Sequence, residues 1–154
     1  MTRLKEGDLA PDFELNDAEG RTWRLSDLKG ERVILYFYPA DDTPGCTLEA
    51  CDFRDAHDEL AAAGYRVLGV SPNDGASHRA FADRYALNFP LLIDDDHAVA
   101  EAYGAWGERT LYGNTVVGII RSTFVIGEDG HIRRALYNVK AKGHVDRLRA
   151  ELGL

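Results

Sequence analysis

The sequence predicts an α/β fold built on a central mixed sheet, and three observations carry that reading. Segments of strand length and apolar content, Val33 to Tyr38, Arg66 to Ser71 and Phe89 to Ile93, alternate with stretches whose apolar residues recur at helical spacing. Two short alternating runs precede them, and a turn-centred pair of apolar segments follows. The chain has 154 residues, 45% of them hydrophobic, which is the size of one domain able to bury most of its surface, so residues 1–154 are read as a single unit.

Ala10 to Leu15 and Arg21 to Leu25 alternate apolar with polar residues around Asp17-Ala18-Glu19-Gly20, the pattern of an N-terminal hairpin. Ser26 to Gly30 predicts a single helical turn. The unbroken run Val33 to Tyr38 is β-branched and aromatic, as suits a strand buried on both faces, and Pro39 stops it. Thr43 followed by Pro44 predicts an N-cap with proline at the first helical position, and this helix should run to Ala63 with Gly64 as its stop. Arg66 to Ser71 is a second buried strand, and Asp74 to Tyr85 a second helix. Phe89 to Ile93 is a third strand, placed at an edge by Pro90.

Asp94, Asp95 and Asp96 invite a metal reading, but acids ahead of a helix, here His97 to Tyr103, are better explained as its cap and dipole-favoured neighbours. Gly104 to Gly113 has no clear period and reads as a loop. Val116 to Ile126 is an apolar stretch containing Arg121, and Gly127 to Gly130 turns it into a strand from His131 to Tyr137. Gly143 to Leu152 closes the chain as an amphipathic helix. Parallel central strands with an antiparallel hairpin at one edge follow from this order, and a thioredoxin-like fold with an N-terminal extension fits it best.

Composition narrows the function. A net charge of −8 with scattered basic residues argues against a nucleic-acid partner. The N-terminus leads into no apolar core of a signal segment, and no run approaches the length of a spanning helix, so a soluble cytoplasmic protein is expected. Two cysteines are too few for a disulfide scaffold and suit thiols in a reducing compartment, with a single structural bridge as the alternative.

Those cysteines, Cys46 and Cys51, fall on the helix from Pro44. Cys46 lands in its first turn, where unpaired N–H groups and the positive end of the macrodipole favour thiolate over thiol. Phe53, Ala56, Leu60 and Ala63 share the sheet-facing side, with Cys46 at its edge and Glu49 oddly in its middle. Glu49 either benefits from the dipole alone or holds a cation beside the sulfur. Cys51 shares its side with Arg54, Asp55 and Asp58, the wet face. Arg121, between Ile119-Ile120 and Phe124-Val125, would be a buried cation in a strand, which requires a partner.

Pro39, Thr43 and Cys46, spaced Pro-x3-Thr-x2-Cys, resemble the active-site signature of peroxiredoxins, and Cys51 resembles the resolving cysteine of their Q-type, bacterioferritin-comigratory-protein-like branch. The resemblance runs nearly the full length. It implies a cofactor-free, metal-free thiol peroxidase, often monomeric, that takes hydroperoxides and is recycled by thioredoxin or a similar dithiol. It implies Cys46 as the nucleophile, and Arg121, the Thr43 hydroxyl and the Cys46 N–H as donors to the peroxide. Pro39 would shield the pocket, and Glu49 would orient Arg121. Lowering a thiol pKa from about 8.5 to about 6 raises the thiolate fraction at neutral pH by a factor of roughly 30, so most of the rate must come from stabilising charge as the O–O bond breaks.

Other readings compete. A thioredoxin-type disulfide oxidoreductase uses two residues between its cysteines, whereas four lie between these. A papain-like hydrolase needs a histidine at the thiol, and His57 is about 16 Å along the helix from Cys46. His78, His97, His131 and His144 are expected at the surface. A non-catalytic redox sensor would use the same disulfide as a switch.

Overall fold

The computed structural model describes residues 3–154. Strands β1 (Glu14–Asn16) and β2 (Thr22–Arg24) form the N-terminal hairpin. A 3-10 turn, Leu25–Leu28, leads into β3 (Arg32–Phe37), and α1 (Pro44–Ala62) follows. Next come β4 (Tyr65–Ser71), α2 (Gly75–Tyr85), β5 (Leu91–Ile93) and α3 (Ala98–Ala102). The chain continues as β6 (Trp106–Leu111), β7 (Asn114–Ile119), β8 (Ser122–Ile126) and β9 (Ile132–Leu136), and ends in α4 (His144–Glu151).

The main sheet has the order β5-β4-β3-β8-β9. Strands β3, β4 and β5 are parallel, whereas β8 and β9 run antiparallel at the other edge. This is the mixed sheet of a thioredoxin-like fold, with Pro90 leading into an edge strand as expected. Side chains of β3 alternate between two cores. Val33, Leu35 and Phe37 face the core shared with the N-terminal segment and α3, while Ile34, Tyr36 and Tyr38 face the core shared with α1, α2 and α4. The second core contains Cys46.

Three expectations need correction. Residues 104–113 are not a loop: β6 occupies most of them and pairs with β7 in a separate two-stranded sheet. The half-covered face of this ribbon is made largely by Gly107, Arg109 and Gly118 rather than by apolar side chains, so no apolar alternation marks its strands. Its turn, Tyr112-Gly113, has positive φ at both residues, as the right-handed twist of a two-residue hairpin favours. Second, the apolar run containing Arg121 is two strands, with Arg121 at the corner between β7 and β8. Third, His78 and His144 are buried, because each shares a helix face with apolar residues, Phe81 and Leu148 respectively.

The acid cluster caps α3. Both oxygens of Asp94 accept backbone N–H groups, from Val99 and Ala100, and Asp96 accepts that of Ala98. No helix among the described residues is long and apolar enough to cross a membrane.

Candidate active site

The site forms where β3 gives way to α1. Because β8 runs antiparallel to β3 with Phe37 opposite Ser122, Arg121 stands beside the carboxyl end of β3, where Pro39 begins the loop to α1. The topology thereby brings a residue from late in the chain onto the first turn of α1.

Cys46 is the third residue of α1 and almost fully buried. The first bond of the helical ladder is donated by the Thr47 N–H to the Thr43 carbonyl, so the N–H groups of Gly45 and Cys46 lie ahead of it. Thr43 has the extended backbone of an N-cap, but its side chain makes no cap bond. Its hydroxyl donates to the Ala40 carbonyl at 2.9 Å, which fixes the hydroxyl and leaves its lone pairs as acceptors. With its hydrogen engaged, this hydroxyl presents acceptor lone pairs rather than the donor that the resemblance implies. Pro39 is partly buried at the strand exit.

Arg121 reaches two groups at once. Nη2 donates to Cys46 Sγ at 3.3 Å and Nη1 to Glu49 Oε1 at 2.7 Å. Glu49, one turn beyond Cys46, is completely buried, and its Oε2 has no partner among the described residues. Burial works against the Arg121 charge, but Glu49 and Cys46 outweigh it and hold the guanidinium above its usual range. Burial pushes the Glu49 carboxyl up to about 7, with Arg121 pulling the other way. The Nη1 hydrogen bond persists in either protonation state of Glu49, because an acid carbonyl oxygen still accepts.

Gly45 makes this approach feasible. A Cβ at that position would lie 3.2 Å from Arg121 Nη2 and 3.7 Å from Ala141 Cβ. His144 closes the far side of this region, its Nε2 2.8 Å from the Thr123 hydroxyl. Burial, then Arg147 and Arg121, push its pKa down to about 4, so the ring is neutral at pH 7. Cys51 is partly exposed further along α1, near Arg54 and Asp55, and both thiols are unbridged.

The arrangement presents a sulfur, a cation aimed at it and helix N–H groups on one small surface. A family model described as the AhpC/TSA family matches residues 7–135. The chain belongs to the AhpC/TSA family. Its relatives are peroxiredoxins: a Mycobacterium tuberculosis protein bearing that name is 54% identical over 153 residues, covering 99% of this chain and 98% of the relative. Peroxiredoxin Bcp of Escherichia coli is 46% identical over 146 residues, covering 95% and 94%. Among solved structures, a cysteine mutant of Xylella fastidiosa PrxQ superposes with a TM-score of 0.92 at 32% identity, covering 99% of this chain and 98% of that one. This peroxiredoxin is therefore a thiol peroxidase of the Q-type branch, an activity that entails a peroxide substrate and a thiol reductant.

Sequence reasoning singled out Glu49 and Arg121 as charges in apolar surroundings, and the structure brings them together. It missed a second polar cluster beside the site, around Asp41 and His78. The available signal was the i, i+3 spacing of His78 and Phe81 on one face of α2.

Proposed function

We propose that this peroxiredoxin reduces hydrogen peroxide and organic hydroperoxides through Cys46. The Cys46 thiolate attacks the distal peroxide oxygen, the O–O bond breaks, and the remaining alkoxide or hydroxide leaves and takes up a proton. Sulfur is oxidised to sulfenic acid and the peroxide is reduced to alcohol or water. Arg121, with its hydrogens directed at the sulfur and its position held by Glu49, stabilises the charge that develops along the breaking bond. Thr43 and the first-turn N–H groups orient the peroxide, and Pro39 limits water access. The observation that carries this reading is the bidentate reach of Arg121 to Cys46 Sγ and Glu49 Oε1.

Cys51 then attacks the sulfenic acid, water leaves, and a Cys46–Cys51 disulfide forms for reduction by thioredoxin or a similar small dithiol. Five residues on an α-helix turn through about 500° and rise about 7.5 Å, so the two thiols point about 140° apart on an intact α1. A disulfide needs Cα atoms within about 7 Å and converging Cβ vectors, so the first turns of α1 unwind in the oxidised state. We read residues 1–154 as one domain acting as a cytoplasmic monomer, with no cofactor, metal, nucleic acid or membrane partner. A Xanthomonas campestris bacterioferritin comigratory protein, whose structures address its alkyl peroxide reduction activity, has a TM-score of 0.85 at 37% identity, covering 92% of this chain and 90% of that one. That likeness supports including organic hydroperoxides among the substrates of this chain.

The test is peroxide-dependent oxidation of a thioredoxin system by the protein. Turnover that continues past one equivalent in the parent and is abolished in Cys46→Ser supports the proposal. A single round of oxidation would indicate a sensor, and turnover in Cys46→Ser would exclude Cys46 as the nucleophile.

A further inference from the structure

The loop that carries Thr43 and leads into the first turn of α1, where Cys46 lies, is held by a polar clasp that none of the steps above uses. Asp41 is its centre. Its backbone N–H donates to Asn73 Oδ1 at 2.8 Å, and its Oδ1 accepts the Tyr38 hydroxyl at 2.6 Å. Its Oδ2 accepts the Ser77 hydroxyl at 2.7 Å and meets His78 Nδ1 at 2.6 Å. The far nitrogen of His78, Nε2, faces the Leu92 carbonyl at 2.8 Å. A carbonyl only accepts, so Nε2 carries a hydrogen, and a proton must also lie between Nδ1 and Oδ2. Burial pushes the Asp41 carboxyl up, yet His78, Tyr38 and Ser77 together hold it below the usual carboxylate range, so Asp41 acts as the anion of the cluster.

The next residue is tied to the same helix. Asp42 has a φ of 57°, in the left-handed region that aspartate tolerates better than most residues, and its two oxygens accept Tyr85 Oη and Arg84 Nη1, each at 2.8 Å. Thus α2 grips consecutive loop residues, Asp41 from its first turns and Asp42 from its last. Ala40, whose carbonyl fixes the Thr43 hydroxyl, immediately precedes them.

We propose that Asp41 and His78 are positioning residues for peroxide reduction, holding the loop so that Thr43 and the first-turn N–H groups meet the peroxide in register with Cys46. The side chains of this pair are 3% and 0% exposed. Burying such a pair brings little net stability over apolar replacements, whereas it specifies one geometry for the loop. Peroxide reduction needs that specificity, because a misplacement of about 1 Å can cost about a hundredfold in rate. The clasp also leaves α2 gripping the near end of the segment when α1 unwinds, so the loop keeps its register for the return.

This proposal rests on Cys46 being the nucleophile, and the experiment separates the two. In a Cys51→Ser background, where sulfenic acid accumulates, the second-order rate of Cys46 oxidation by hydrogen peroxide is measured by rapid quench and mass. The rate of Cys46 alkylation by iodoacetamide is measured in parallel, since that electrophile needs a thiolate but no peroxide cradle. Asp41→Asn and His78→Gln are each expected to slow peroxide oxidation by about tenfold or more, with the double variant no slower than either single one. Alkylation should change less than about threefold. Tyr38→Phe, which removes one hydroxyl and little volume, should slow peroxide oxidation about threefold and keeps the test decisive if Asp41→Asn fails to fold. Parallel losses toward both electrophiles, additive losses in the double variant, or lowered thermal stability with unchanged rates would overturn the positioning role. A parent Cys46 that resists peroxide would overturn the nucleophile reading itself, and the clasp proposal with it.

Discussion

Replacing Glu49 with glutamine tests how the buried pair at the site is balanced. Glutamine matches glutamate in size and can still accept from Arg121 Nη1, but it does not titrate. In the folded protein burial raises the Glu49 carboxyl from the ordinary 4.5 to about 7. At roughly 1.4 kcal/mol per pH unit, that difference corresponds to about 3 kcal/mol. The sign follows from which state holds the proton. Below pH 4.5 both folded and unfolded chains are protonated and the contribution of Glu49 to stability is fully present. As pH rises toward 7 the unfolded chain releases its proton first, and the folded state loses that contribution. Urea unfolding of the reduced parent and of Glu49→Gln, compared from pH 4 to pH 8, should show the parent losing about 3 kcal/mol relative to the variant, with the change levelling above pH 7. A difference that stays constant, or that grows in the parent's favour as pH rises, would refute the dominance of burial over the Arg121 attraction.

Arg121→Ala should slow peroxide reduction by more than the factor of roughly 30 that thiolate fraction alone can supply, because stabilisation of the breaking O–O bond is lost as well. Stopped-flow oxidation checks this, and a stability loss with unchanged activity per folded molecule would make the pair structural. Gly45→Ala gains some helix propensity, less than the roughly 1 kcal/mol of a helix interior, but sets a Cβ 3.2 Å from Arg121 Nη2. Its peroxide rate should fall severalfold while its thermal midpoint changes little, and an unchanged rate would mean the guanidinium yields freely. Hydrogen exchange across Cys46 to Asp55 should be slow in the dithiol and fast in the disulfide form. Equal protection in a sample whose mass confirms the bridge would contradict unwinding of α1.

The parts of this fold legible in the sequence are those whose signals are local. The run Val33 to Tyr38, stopped by Pro39, and the Thr43-Pro44 start of α1 each depend on neighbouring residues only, and both ends of the central strand-to-helix unit follow from them. The pairing of Arg121 with Glu49 was foreshadowed by two charges in apolar surroundings, but the meeting depends on the antiparallel register of β3 and β8, which spans much of the chain. The β6–β7 ribbon is not legible as an apolar alternation because Gly107, Arg109 and Gly118 occupy much of its half-covered face, although the two-residue turn ending in Gly113 is a signal for it. His78 and His144 read as surface residues from sequence because histidine has no fixed preference for surface or core, and only their spacing to Phe81 and Leu148 reveals the inward face.

The central claim is that Cys46 is oxidised first and Cys51 resolves it within one chain. One equivalent of hydrogen peroxide added to the reduced protein, followed by quenching and peptide mass analysis, tests it most directly. The account predicts a Cys46–Cys51 linkage in the monomeric parent and a trappable sulfenic acid on Cys46 in Cys51→Ser. A sulfenic acid found first on Cys51, or a linkage found only between chains, would contradict it.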